Sequence, residues 1–158
     1  MKRYWIAGIN FCFVFFCLHA LSFAQAKQMP DFSFLDTESD IFTNKDIPPN
    51  TALLLVYFRT DCDECRHSAQ LIKYNASQYP LMIWMVSPND LENLGTFEYM
   101  TGLTTLKNVQ VLQDHKDQMH RLFSFMALPF VVLFDKKGKE IKTYDYLPDA
   151  KTITKDLR

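Results

Sequence analysis

Apolar residues fall along this chain in two rhythms, and the switches between them mark out the elements. Ala52 to Phe58 is a continuous apolar run, the pattern of a strand buried on both faces. After the polar break Arg59-Thr60-Asp61 the spacing lengthens. Cys65, Ala69, Ile72 and Ala76 recur at i, i+4, i+7 and i+11, which predicts a helix from Cys62 to Gln78, ended by Pro80. Leu81 to Val86 is a second apolar strand. Ser87-Pro88-Asn89-Asp90 opens a second helix, carried by Leu91, Leu94, Phe97 and Tyr99 to about Gly102. Val109 to Leu112 is a short strand. Asp114 is expected to cap a helix from His115 to about Phe125, with Met119, Leu122 and Phe123 inward. Leu128-Pro129 then leads into the apolar strand Phe130 to Phe134. Asp135 to Lys139 is a hairpin turn with Gly138 at positive φ, and Glu140 to Tyr146 is the partner strand, Tyr144 and Tyr146 sharing its buried face. A last helix runs from Pro148-Asp149 to Leu157. Near the start, Phe32 and Phe34 alternate with polar neighbours, Ile41-Phe42 is placed to pair back on them, and Pro48-Pro49-Asn50 breaks the chain. Strands alternating with helices, then an antiparallel hairpin, give an α/β fold with a central mixed sheet flanked by helices.

A chain of 158 residues is expected to form one domain, and its 48% hydrophobic content is enough for a packed core. A formal net charge of −1 gives no reason to expect a nucleic-acid partner. No glycine-rich phosphate loop is present, since none of the four glycines falls in such a spacing.

The N-terminus changes the picture. Lys2 and Arg3 precede a nearly unbroken apolar stretch, Ile6 to Leu21, followed by the small-x-small sites Ser22-Phe23-Ala24 and Ala24-Gln25-Ala26. Residues 1–26 therefore read as a signal peptide cleaved after Ala24 or Ala26, with residues 27–158 as the exported domain. The rival is an uncleaved membrane anchor, since Tyr4 to Ala24 is just long enough to span. Lipidation at Cys17 fits poorly, because bulky Phe16 precedes it. Cleavage would leave 15 basic against 18 acidic residues, a net of −3, and would remove Cys12 and Cys17. Cys62 and Cys65 would remain as one C-x-x-C pair with no disulfide framework around it, which favours a redox-active pair over a staple.

The position of that pair carries the chemistry. Thiolate is the reactive form of cysteine, and a helix N-terminus with its unpaired N–H groups favours an anion. Cys62 falls at the start of the helix and Cys65 one turn later, within reach of a disulfide. Cys62 is the candidate nucleophile on a substrate disulfide and Cys65 the resolving cysteine. The apolar strand, Cys62-Asp63-Glu64-Cys65 and Pro129 before a later strand together resemble thioredoxin-like proteins, in particular the exported TlpA-like thiol-disulfide oxidoreductases. The resemblance covers about four-fifths of the chain. It implies a thioredoxin-like fold with a short N-terminal β extension, and a cis Pro129 offering a backbone edge to an extended substrate. It also implies Leu128 as an apolar cover on the sulfurs. Partners would be substrate proteins with cysteines or disulfides and an upstream thiol electron donor, in the periplasm or cell envelope. No cofactor and no metal are implied, and a membrane is a partner only if the leader is retained.

Two departures from the family pattern matter. Asp61 stands where many relatives have Trp, and Asp63 and Glu64 fill the inner positions of the motif. Three carboxylates oppose a thiolate, while Arg59, Arg66 and His67 favour it. A raised Cys62 pKa would favour a reductant. The buried acid that thioredoxin carries six residues before its first cysteine is replaced here by Val56. The rivals are a copper-binding or metallochaperone module, a non-catalytic interaction module, and a peroxidase of the peroxiredoxin class. His67 invites the metal reading, but it lies two residues from Cys65 and off its helix face, and His115 and His120 are distant in sequence. The peroxidase pattern P-x-x-x-T-x-x-C is not met: Thr60 is two residues before Cys62, with no proline nearby ahead of it.

Overall fold

The structure, a computed structural model, describes residues 27–158. The expected leader, with Cys12 and Cys17, lies outside those residues. Seven strands form one mixed sheet in the order β2-β1-β5-β4-β3-β6-β7. They are β1 (Ser33–Asp36), β2 (Ile41–Thr43), β3 (Leu53–Tyr57), β4 (Met82–Ser87), β5 (Val109–Gln113), β6 (Phe130–Phe134) and β7 (Glu140–Tyr144). The helices are α1 (Asp63–Asn75), α2 (Leu91–Thr101), α3 (Gln118–Leu122) and α4 (Ala150–Asp156). No helix among the described residues is long and apolar enough to cross a membrane. The expected α/β architecture, with its N-terminal hairpin of β1 and β2, is the one observed.

The continuous apolar run of β3 follows from its position. It pairs parallel with β4 and antiparallel with β6, and all five residues are buried. Successive side chains point to opposite faces, so β3 serves two cores. Leu54, Val56 and Phe58 face a core closed by α1, α2 and α4 through Cys65, Ile72, Leu94 and Ile153. Leu53, Leu55 and Tyr57 face an aromatic core built with Phe32, Phe34, Trp84, Phe123 and Phe134. The N-terminal extension is part of this second core. Phe34 is fully buried, stacked on Phe32 at 5.2 Å and edge-on to Trp84 at 6.3 Å.

Residues 27–29 are held at one end of the sheet. Met29 donates its N–H to the Gly138 carbonyl at 2.7 Å, and Glu140 donates to the Lys27 carbonyl at 2.8 Å. The Lys27 ammonium lies 4.3 Å from the centre of the Phe123 ring. Gly138, at φ +75°, makes the tight turn between β6 and β7 to which these residues pair.

The structure corrects the sequence reading at three elements. The helix expected over His115 to Phe125 is only α3, Gln118–Leu122. Asp117 sits in the left-handed region at φ +51°, which interrupts helix before it. Asp114 does cap, but from further back: its buried carboxylate accepts the N–H groups of Gln118 and Met119, both at 2.8 Å. The α-helical part of the first helix ends at Asn75 and continues as a 3₁₀ turn over Ala76–Gln78. Strand β7 stops at Tyr144, so Tyr146 lies beyond the pleat and is 55% exposed, while Tyr144 is buried.

Candidate active site

The candidate site lies where β3 hands over to α1. Phe58 is the last buried residue of the run, Arg59 to Asp61 make the turn, and Cys62 is the N-cap of α1 with extended backbone. The Cys62 sulfur accepts the Cys65 N–H at 3.1 Å, satisfying one of the helix's terminal donors. Cys62 and Cys65 are joined as a disulfide with Cα atoms 5.2 Å apart. Their surroundings differ. Cys65 is fully buried in the core under α1, whereas Cys62 is only partly buried. Of the two sulfurs, Cys62 is the one an incoming group can reach.

Charges around the pair are arranged in a way that counting residues did not resolve. Arg59 donates to both carboxylate oxygens of Asp61, at 3.0 and 3.1 Å. Those hydrogen bonds hold the Asp61 carboxyl below its ordinary pKa. Arg66 pairs with Asp63 and also donates to the Thr60 carbonyl at 2.9 Å. Two of the three acids are thus matched by the two arginines, and neither arginine is left to favour a thiolate. Glu64 is exposed and forms no ion pair among the described residues. The local sum is one uncompensated carboxylate on the first turn, set against the helix N-terminus. The i, i+3 spacing of Asp63 and Arg66 was a legible signal for one of these pairs. The Arg59–Asp61 pair depends on the turn and was not.

The second expected element arrives beside the first. The Leu128–Pro129 peptide is cis, and Pro129 is buried. Leu128 and Pro129 line one groove with Glu64, His67 and Tyr146, so the segment after α3 and the N-terminal part of α1 meet there. Leu128 is half-buried and packs against both cores. Val56, in the position of thioredoxin's acid, is fully buried in the core that holds Cys65. His67, His115 and His120 are exposed, and no group of three or more His, Cys, Asp or Glu among the described residues is placed to hold a metal.

One feature of the site went unnoticed in the sequence. Tyr57, the last residue of β3, is 1% exposed, and its hydroxyl has no hydrogen-bond partner among the described residues. In the sequence it reads as one more apolar position of a buried strand. Burial, and then the Asp114 carboxylate, push its pKa up, so the group is a neutral phenol. With Arg59, His120, Phe125, Met126 and Leu128 it lines a cavity of about 270 Å³, which shares Leu128 with the groove.

Comparison with known proteins gives a sequence match to one family. The sequence model described as the AhpC/TSA family matches residues 26–156. No curated protein matches the chain. Among solved structures, a thiol-disulfide oxidoreductase from Bacteroides fragilis superposes with a TM-score of 0.65 at 19% identity, over 84% of this chain and 100% of that one. A thioredoxin-like protein from Aeropyrum pernix superposes with a TM-score of 0.63 at 12% identity, over 80% and 88%. At these identities the likeness is one of fold.

Proposed function

The chain belongs to the AhpC/TSA family, and from that premise we propose that it is a thiol-disulfide oxidoreductase that reduces protein disulfides outside the cytoplasm. The observation that carries the reading is the asymmetric pair: Cys62 partly exposed at the N-cap of α1, Cys65 fully buried one turn on, the two already able to close a disulfide. In the reduced enzyme the Cys62 thiolate attacks a substrate disulfide and releases one substrate thiol. Cys65 then attacks the mixed disulfide and releases the second, and two electrons pass from the pair to the substrate. The upstream partner is a thiol donor that reduces the pair again. The substrate segment lies in extended form against Leu128 and Pro129.

The charges support that direction. With Asp61 and Asp63 matched by arginines, Glu64 remains as an unbalanced carboxylate beside Cys62, and a destabilised thiolate makes the reduced pair the better electron donor. The location rests on the leader pattern of residues 1–26 and on the C-x-x-C pair as the only cysteines after it. Peroxidase chemistry, within the same family, lacks its threonine and proline spacing here.

The test is equilibration of residues 27–158 with glutathione or dithiothreitol, followed by thiol trapping. A reversible two-electron couple at or below about −200 mV is expected. A value near about −120 mV would make the protein an oxidant, and the absence of any reversible couple would remove the enzyme reading. The charge argument has its own check in Glu64→Gln. Removing that exposed carboxylate relieves a like-charge interaction with the Cys62 thiolate of about 0.3 to 1 kcal/mol, the order of an exposed charge pair. The potential should therefore rise by roughly 6 to 21 mV, and a fall would reverse the argument.

A further inference from the structure

We infer that the groove beside the disulfide selects substrate segments that carry arginine or lysine close to the reacting cysteine, through the carboxylates of Glu64 and Asp145. The inference rests on the disulfide-exchange reading above and adds the class of segment preferred. On that reading the substrate lies on Leu128 and Pro129. Those two residues form a groove of about 140 Å³ together with Glu64, two residues beyond Cys62 on α1, and Asp145, just after β7. The two acids come from separate elements and converge only in the fold.

The charges of the groove select the occupant. Glu64 and Asp145 are both exposed, so a substrate atom can reach either carboxylate, and neither forms an ion pair among the described residues. The nearby cations are engaged elsewhere: Arg59 with Asp61, Arg66 with Asp63, and Lys142 of β7 with Asp156 of α4. Among the described residues no lysine or arginine lines the groove. Its one imidazole, His67, is outnumbered by the two carboxylates, so the sum is negative in either state of the ring. A carboxylate brought in by the substrate meets two like charges, and a neutral side chain leaves both acids without a partner. A cation gains from each, by the amount of an exposed pair. The groove also has an apolar lining in Leu71, Leu147 and Tyr146, the tyrosine 55% exposed. The aliphatic stem of arginine or lysine covers such a lining while its charged head stays in water beside the carboxylates. Asp145 acts on the substrate alone, whereas Glu64 also bears on the Cys62 thiolate.

The experiment measures kcat/KM for reduction of synthetic disulfide peptides that carry Arg, Lys, Gln or Glu at each of the three positions on either side of cysteine. At one position Arg and Lys should exceed Gln by about three- to tenfold, and Glu should fall below Gln. Ratios between peptides on one enzyme cancel any shift in the potential of the pair, so they read recognition alone. Asp145→Asn should lower the ratio of Arg to Gln about twofold, and the double variant with Glu64→Gln should bring it to about one. Glu38→Gln removes the same charge from the β1–β2 turn, at the opposite edge of the sheet, and should leave the ratio unchanged. In wild type, raising the salt from about 20 mM to about 500 mM should also lower the ratio, because exposed pairs are screened. Equal rates for Arg and Gln at every position, the same preference at all positions, a ratio that survives in the double variant or at high salt, or an equal drop in Glu38→Gln would each overturn the groove's selectivity. Bis(2-hydroxyethyl) disulfide serves as a neutral substrate with no side chain for the groove. Exchange with it but no peptide preference overturns the selectivity alone. Failure to exchange with it or with any peptide overturns the oxidoreductase reading as well.

Discussion

Cys62→Ser reduces disulfide exchange by more than about 10³-fold, because it removes the nucleophile and leaves no thiolate where a substrate can approach. Cys65→Ser has a different result. The nucleophile remains, the first exchange proceeds, and the protein stays joined to its substrate as a mixed disulfide that non-reducing gel electrophoresis or intact mass detects. The difference follows from burial: Cys65 is fully buried against Val56, Ala69 and Ile72, while Cys62 sits partly exposed at the helix N-cap. If Cys65→Ser loses all reaction and Cys62→Ser accumulates the adduct, the two roles are reversed. Circular dichroism on both variants separates loss of chemistry from loss of fold.

Phe34→Ala lowers stability by about 3 to 5 kcal/mol, the cost of emptying a large aromatic site in a packed core. Phe34 is fully buried and lies on β1, which joins the sheet through β5. Its ring holds the N-terminal extension to the sheet through Phe32 and Trp84, and little else of β1 faces inward. The loss should also loosen Phe42, edge-on to Trp84 at 6.0 Å on the neighbouring strand. Chemical denaturation gives the number. A change below about 1 kcal/mol would mean that the extension is an ornament on the aromatic core.

Much of this arrangement was written in local spacing. The run from Ala52 to Phe58 and the i, i+4, i+7 series from Cys65 gave β3, α1 and the place of the disulfide, because burial on two faces and burial on one stripe leave different periods. Gly138 and Pro129 marked the turn and the strand entry, because each constrains the backbone directly. The failures have a different origin. The left-handed Asp117 shortened α3, and an exposed Asp in that conformation carries no pattern of its own. Tyr146 kept the alternation of β7 after the strand had ended. The pocket at Tyr57 joins residues from the ends of β3 and β4, from α3 and from the segment before Pro129. No window of sequence contains them, and a buried tyrosine looks like core until its hydroxyl is followed to a partner it lacks.

The anchoring of Lys27 and Met29 to the β6–β7 turn has a geometric outcome. Strand β6 runs antiparallel to β3, with Phe134 beside Leu53 and Phe130 beside Tyr57. The turn after Phe134 therefore lies at one pole of the molecule and the Cys62–Cys65 pair at the other, separated by the five residues of β3, about 17 Å. The backbone of Lys27 and Met29 is therefore fixed near the pole away from the sulfurs, at the start of β7 and the turn before it.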